Sequence, residues 1–324
     1  MSKSILTGIQ PSGRAHIGNY FGAIKPAIQL ASEYEKSIIF IADLHSLTTL
    51  QDKKLLQQYT FDLAVSYLAA GLDPEKTILF KQSDVSAHAE LSWILSTITP
   101  MGMLERATSY KDKKNKGLEV NAGLFTYPIL MASDILLYSP DVVPVGKDQK
   151  QHLEIARDLA SKFNHIYGGS ALKQPEPVIS EKTGIIPGLD GQKMSKSYGN
   201  TIPLFGTKKE IRKTIMSIVT DSKEVADKKD PETCTIFTLT KFFLSEDELT
   251  ALSAKYKAGG MGYGEAKQIL WEGLEKKFTP MWEREAELRK NPEKVYEILK
   301  EGAEKANRIA TRQLEKIKKR VGLG

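Results

Sequence analysis

Lys193 and Lys196 stand on a short loop between Gly191 and Gly199, within the run DGQKMSKSYGN of residues 190–200. Two compact ammonium groups so placed can close over a polyphosphate and neutralise charge as it develops. Alone, a K-x-x-K pair is more often a solvated basic loop. A second stretch weighs against that: residues 8–19, GIQPSGRAHIGN, lead from a short apolar run through the turn Pro11-Ser12-Gly13 into a helix beginning near Gly18 and Asn19. A helix N-terminus offers unpaired N–H groups and the positive end of the macrodipole, a natural phosphate site. Gln10, Pro11 and Ser12 lie on the approach to it, and His16 can donate through either ring nitrogen to a phosphate oxygen. Lone histidines are mostly packed or solvated, so the strand context and the distant lysine loop carry this reading. No G-x-x-x-x-G-K-[ST] loop occurs, and no G-x-G-x-x-G follows the first strand. A P-loop hydrolase and a dinucleotide oxidoreductase thereby lose their basis.

Together the two stretches resemble the HIGH-like and KMSKS signatures of class I aminoacyl-tRNA synthetases. The likeness continues in residues 121–138, NAGLFTYPILMASDILLY, and 142–152, VVPVGKDQKQH. These look like the amino-acid pocket and nucleotide loop of bacterial-type tryptophanyl-tRNA synthetases. With GIQPSG near the start and GAEKANRIA at 302–310, the similarity covers almost the whole chain. It implies a Rossmann-like catalytic fold that activates L-tryptophan with ATP and passes it to tRNA(Trp), in a homodimer. Mg2+ would bridge the ATP phosphates with few or no protein ligands, and no metal site of the protein's own is expected.

The resemblance also assigns roles. Lys193 and Lys196 assist the departure of pyrophosphate, and Lys113, in the basic stretch 111–116, is a third clamp unless it is a plain solvated lysine. Met194, Ser195 and Ser197 share the ATP-facing loop. Gly18, Asn19, Gly146, Lys147 and Asp148 complete the nucleotide site. Gly146 permits close backbone approach, and the Asp148 carboxylate accepts from ribose hydroxyls, caps the next helix, or does both. Either Ile185 or Ile186 flanks adenine.

For the amino acid, the family's aspartate that accepts the indole N–H matches Asp134. Asp134 falls on one helical face with Leu124, Tyr127 and Met131, where an unpaired carboxylate would be costly. An indole N–H is a donor and nothing else, so an acceptor-only carboxylate is its complement. The plainer reading is a structural carboxylate paired with Arg or Lys. His45, Gln10 and Met131 line the same pocket, and Tyr127 and Gln149 match positions that hold the substrate ammonium.

These residues need a scaffold that brings distant loops together. The first half alternates strand and helix signals: a strand at 4–8, a helix at 19–35 kinked at Pro26, a strand at 37–42, a helix at 53–70 and a strand at 77–81. Helices at 88–99 and 121–138, a strand at 141–145 and a helix at 148–165 follow. That order predicts an α/β fold with a doubly wound parallel sheet and ligands at the carboxyl ends of its strands. After the lysine loop, helices are predicted at 208–219, 245–257, 264–290 and 292–321, the last capped by Asn291 and packing through Val295, Ile298, Gly302, Ala306, Ile309, Gln313 and Ile317. The boundary is read near Pro203–Gly206. Residues 1–205 form the catalytic domain, and 206–324 form a helical region for the tRNA anticodon whose last helix packs back on the catalytic domain.

Composition agrees with a globular enzyme. Across 324 residues, 46 Lys and Arg against 40 Asp and Glu give +6, a mild excess compatible with a polyanionic partner. The single cysteine, Cys234, excludes a disulfide framework and a cysteine metal cluster. With neither a signal-like N-terminus nor an apolar window of membrane length, no membrane association and a cytoplasmic location are expected. Three rivals remain: tyrosine specificity on the same fold, a small-molecule adenylyltransferase sharing the H-I-G element, and a non-catalytic RNA-binding paralogue.

Overall fold

The computed structural model describes residues 3–108, 110–111, 120–146, 150–179 and 185–324. Five parallel strands form one sheet: β1 (Ser4–Ile9), β2 (Lys36–Ile41), β3 (Thr77–Lys81), β4 (Val142–Val145) and β5 (Glu176–Ile179), in the order β3-β2-β1-β4-β5. The chain steps outward from β1 to β3, then returns across the sheet to β4 and continues to β5. The strand order therefore reverses between β1 and β4, which puts the ligand crevice outside their carboxyl ends. This is the doubly wound sheet expected from the alternation. β2 shows why it was legible: Ile39 and Ile41 enter one core while Ile38 and Phe40 enter the other, so the strand is apolar on both faces. β5 carries no such signal. It is four residues long, includes Pro177, and sits at the sheet edge, where a missing N–H costs least.

After β1, a short helix α1 (Ile17–Asn19) widens into a π turn over Tyr20–Ile24 and resumes as α2 (Lys25–Glu33). Pro26, in the first turn of α2, cannot donate to the helix ladder, and the π turn just before it absorbs the break. α3 (Asp43–Ser46) follows β2, and α4 (Lys53–Ala69) leads to β3. α5 (Ala87–Ser96), α6 (Met101–Glu105) and α7 (Ala122–Tyr138) precede β4, and α8 (Lys150–Tyr167) precedes β5. Asn121 opens α7 by accepting from the Leu124 N–H.

Beyond residue 206 the regular elements are helices: α9 (Lys208–Met216), α10 (Thr235–Thr240), α11 (Glu246–Ala258), α12 (Tyr263–Lys290) and α13 (Pro292–Val321). Thr207 with Glu210, and Ser245 with Glu248, form capping boxes on α9 and α11. Asn291 does not cap α13 as expected; its amide donates to the Glu287 carbonyl and closes α12 instead. Pro292 alone marks the start of α13.

α13 crosses the sheet edge. Val295 and Leu299 join the core that holds Ile39, Ile41 and α4, whereas Ala303, Ala306, Ala310, Leu314 and Ile317 join the core on the opposite face. Gly302 sits at the crossing, where a Cβ would lie 1.9 Å from the Leu79 carbonyl oxygen of β3. Only glycine lets the helix backbone come so near, and the contact shields an edge strand. Ile309, expected on the buried stripe, is 38% exposed; Ala310 takes its place. Among the described residues no helix is long and apolar enough to cross a membrane.

Candidate active site

The turn after β1 and the lysine loop meet. The segment that follows the loop runs beside the start of α1: the Ile17 N–H donates to Ile202 O at 3.0 Å, and the Leu204 N–H to Ala15 O at 3.0 Å. Lys196 Nζ reaches across and donates to the Ser12 carbonyl at 2.9 Å. Partial burial lowers its pKa from the ordinary lysine value. Inside the loop, the Met194 N–H donates to Ile186 O at 2.9 Å, and the Ser195 N–H to Asn200 Oδ1 at 2.8 Å. Asn200 is buried and donates to Asp190 Oδ1 at 2.7 Å, so it pegs the loop from beneath. Gly188 makes room for that peg: a Cβ there would come 2.4 Å from the Asn200 amide. Lys193 is exposed, Met194 is buried with its sulfur near Gly18, and the Ser195 and Ser197 hydroxyls are 3.2 Å apart.

His16 opens α1 through a reciprocal cap. Its Nδ1 accepts from the Asn19 N–H at 3.3 Å, while its own N–H donates to Asn19 Oδ1 at 3.2 Å. With Nδ1 used as an acceptor, the ring proton belongs on Nε2. The structure thus selects one of the two nitrogens that sequence left open. Burial, and then the charge of Lys196, lower the His16 pKa to about 4. At physiological pH the ring is a neutral donor. Gln10 and Ser12 are exposed on the same turn, and Pro11 is buried.

The other end of the crevice is organised around Asp134, which α7 carries into the interior at 1% exposure. Its Oδ2 is 2.7 Å from His45 Nε2; its Oδ1 accepts from Gln82 Nε2 at 2.6 Å and lies 2.7 Å from His88 Nδ1. His45 stands just past β2 and Gln82 just past β3, so the carboxyl ends of neighbouring strands deliver both. Gln82 is oriented in turn by the Leu44 N–H, which donates to its Oε1 at 3.2 Å. Burial pushes the Asp134 pKa up, but the charge and hydrogen bond of His45 and the hydrogen bond of His88 outweigh it and hold the carboxyl at about 2. The acid is ionised, and its partners are histidines and an amide rather than the Arg or Lys of the plainer sequence reading.

The two ends share a wall. Ser46, next to His45, donates to the Pro11 carbonyl at 3.3 Å. Tyr127 meets the His45 ring edge-on with centroids 6.1 Å apart, and its hydroxyl contacts Nε2 of the buried His152. Met131 is half-buried on α7, one turn before Asp134. Gly146 is exposed at the carboxyl end of β4. Of the two isoleucines, Ile186 is buried in the core and Ile185 is 73% exposed. Lys113, Lys147, Asp148 and Gln149 lie outside the described residues.

Sequence reading missed Gln82, His88, Tyr138 and Asn200. A signal existed for Gln82, which is the first polar residue past an apolar strand, at the carboxyl end where a parallel sheet holds its ligands. None existed for His88, read only as the start of a helix.

A model of the family described as class I tRNA synthetases (W and Y) matches residues 2–279. The Tryptophan--tRNA ligase of Fusobacterium nucleatum is 50% identical over 321 residues, covering 99% of this chain and 98% of that one. The Tryptophan--tRNA ligase of Rhodopirellula baltica is 48% identical over 319 residues, covering 98% and 99%. Among solved structures, tryptophanyl-tRNA synthetase from Campylobacter jejuni complexed with ADP and tryptophan superposes with a TM-score of 0.94 at 48% identity, covering 99% of this chain and all of that one.

Proposed function

This chain belongs to the class I tRNA synthetases for tryptophan and tyrosine, and we propose that the crevice described above is where it works as a tryptophan–tRNA ligase. The reaction condenses L-tryptophan with ATP to tryptophanyl-AMP and pyrophosphate, then transfers tryptophan to tRNA(Trp). The observation that supports this use of the crevice most strongly is the wiring of Asp134. A carboxylate has about four acceptor positions. Gln82 and His88 take two on Oδ1 and His45 takes one on Oδ2, which leaves one on Oδ2. An indole N–H fills one acceptor and asks for nothing in return. His45 and Tyr127 supply the aromatic wall, Met131 the apolar floor, and Tyr127, Gln10 and Gln149 the polar groups near the substrate ammonium.

In activation, a tryptophan carboxylate oxygen attacks the α-phosphorus. A new O–P bond forms as the bond to the bridging oxygen breaks, and the electron pair leaves with pyrophosphate. Lys193, Lys196 and the His16 Nε2–H meet the charge that gathers on the leaving group, with Lys113 as a further clamp. Pro11, Ser12, Gly18, Asn19, Met194, Ser195 and Ser197 shape the phosphate channel. The same reading gives Gly146, Lys147 and Asp148 to the ribose, and Ile185, the exposed isoleucine, to adenine. Mg2+ would come with ATP, held by few or no protein ligands, and would supply neutralisation of phosphate charge. The side chains facing this end, two lysines and a neutral histidine donor, complement phosphate oxygens rather than a hard cation.

The same reading assigns residues 206–324 to tRNA contact, residues 1–205 to adenylate chemistry, and the protein to the cytoplasm as a homodimer. Trp93 on α5 and Met101 on α6, 73% and 63% exposed, support a partner subunit on that corner. Amino-acid-dependent exchange of pyrophosphate into ATP, run with the twenty amino acids, tests the whole. Tryptophan should support exchange far above the rest; exchange led by tyrosine, or none, would overturn it.

A further inference from the structure

His88 does not face the crevice. It is 0% exposed, yet both its ring nitrogens are engaged: Nδ1 lies 2.7 Å from Asp134 Oδ1 and Nε2 lies 2.8 Å from the Tyr138 hydroxyl. We propose that His88, braced by Tyr138, is the positioning residue that pins one oxygen of Asp134 and so presents the other, in one fixed direction, to the substrate N–H. This rests on the reading of Asp134 as the indole acceptor.

The chain of donors has one consistent sense. An ionised carboxylate only accepts, so His88 Nδ1 donates to Oδ1. Nε2 then faces the Tyr138 O–H on the other side of the ring. Burial, reinforced by the Asp134 charge, pushes the Tyr138 pKa far up and keeps that proton on oxygen. The ring cannot turn: Phe40, Phe80 and Tyr138 surround it at centroid distances of 6.0, 6.1 and 5.5 Å. Gln82 adds a second donor to the same oxygen.

Oδ1 is thus saturated from the buried side, and rotation about the Asp134 Cβ–Cγ bond would break two hydrogen bonds at once. Oδ2, held among the described residues by the partly exposed His45 alone, keeps its remaining acceptor. A carboxylate free to rotate would meet a phenol O–H as readily as an indole N–H. A pinned one serves the donor whose position it matches, so His88 bears on the choice between tryptophan and tyrosine without touching either.

The test compares His88→Leu, His88→Asn, Tyr138→Phe and Asp134→Asn in the full-length protein. Calorimetry gives the tryptophan Kd, and pyrophosphate exchange gives kcat and the KM for tryptophan, tyrosine and ATP. His88→Leu should raise the tryptophan Kd and KM about tenfold to a hundredfold, the worth of one hydrogen bond to a charged group. Its discrimination against tyrosine should narrow, while kcat and the ATP KM stay within about threefold. His88→Asn places an amide N–H near the lost Nδ1–H and should recover most of the tryptophan affinity. Tyr138→Phe should shift the Kd severalfold in the same direction as His88→Leu. A folded His88→Leu protein with unchanged tryptophan Kd would overturn the proposal, as would His88→Asn as impaired as Asp134→Asn, a comparison that holds even if the leucine variant fails to fold. If Asp134→Asn itself leaves tryptophan binding unaltered, the underlying reading of the pocket fails. An effect at Asp134 with none at His88 defeats the present inference alone.

Discussion

Asp134 and Lys196 both bring charge to the crevice, and they are held in contrasting ways. Asp134 is buried and carries three hydrogen bonds from the ends of two strands and from α5. Lys196 is tethered by one hydrogen bond to the Ser12 carbonyl, on a loop pegged by Asn200, with Lys193 exposed beside it. An amino-acid pocket must discriminate before any chemistry, which rewards a geometry fixed in advance. A phosphate clamp must respond to charge that appears only as pyrophosphate leaves, which rewards groups able to trade a weak ground-state tether for a stronger contact. On the proposed reading, one end of the crevice is finished in advance and the other is finished by the reaction.

If that contrast is right, mutations at the two ends should register in different constants. The largest effect is expected for Lys196→Ala: a fall of roughly 10²–10³ in the rate of adenylate formation, with an ATP Kd changed only a few-fold. Rapid-quench kinetics beside equilibrium ATP binding would show it, and a parallel change in both would make the lysine a ground-state anchor. Asp134→Asn comes next. It should weaken tryptophan binding by ~1.5–3 kcal/mol with the rate at saturation largely kept, measured as Kd against single-turnover rate. A smaller effect separates the two roles of His16. His16→Asn keeps a group near Nδ1 for the cap but loses the Nε2 donor, and His16→Gln does the reverse. The asparagine variant should be about tenfold slower than the glutamine variant in activation.

The contrast also appears in pH. The Asp134 pKa is depressed to about 2 in the fold, so its contribution to stability is complete above the ordinary value of 3.8 and is lost as pH falls toward 2. Acid unfolding of Asp134→Asn should therefore be flatter through that window than that of the parent. His16 is depressed from 6.5 to about 4, so it favours the fold fully above pH 6.5 and progressively less down to pH 4. Because the ring stays neutral in the fold, the activation rate between pH 5 and 8 should show no inflection that His16→Gln removes. The smallest effect concerns tRNA. Lys208 is paired with Glu275 at 2.8 Å and Arg212 donates to Gln268 at 2.9 Å, whereas Arg308, Arg312 and Lys316 form an exposed row on α13 with no ion pair among the described residues. Reversing the charge of two of that row should lower aminoacylation severalfold and flatten its salt dependence, with exchange unaltered.

What the sequence made legible follows from how local each signal is. The β2 run, the small turn before His16 and the lysine loop each announce themselves within a dozen residues. Asp134 was legible because a carboxylate on an apolar helical face demands a partner. The identity of those partners was not: His45, Gln82 and His88 reach it from three different elements, and only the register of β2 and β3 brings two of them side by side. β5 escaped because four residues with a proline do not outweigh a loop. The π turn ahead of Pro26 escaped because a kink and a widened turn share one sequence cue. The cap assigned to Asn291 failed because its amide had a closer carbonyl behind it, at Glu287.

The passage of α13 over β3 at Gly302 has a consequence for how the chain is made. Synthesis proceeds from the N-terminus, so β3 leaves the ribosome more than two hundred residues before the helix that shields its edge. Residues 303–317, which fill the core on one face of the sheet, emerge later still. A nascent chain complete to Arg289 therefore carries every strand of the sheet with one edge open and one core short of its final side chains, a state prone to pairing with its neighbours. The β3 edge stays open until α13 has emerged and comes down across Leu79.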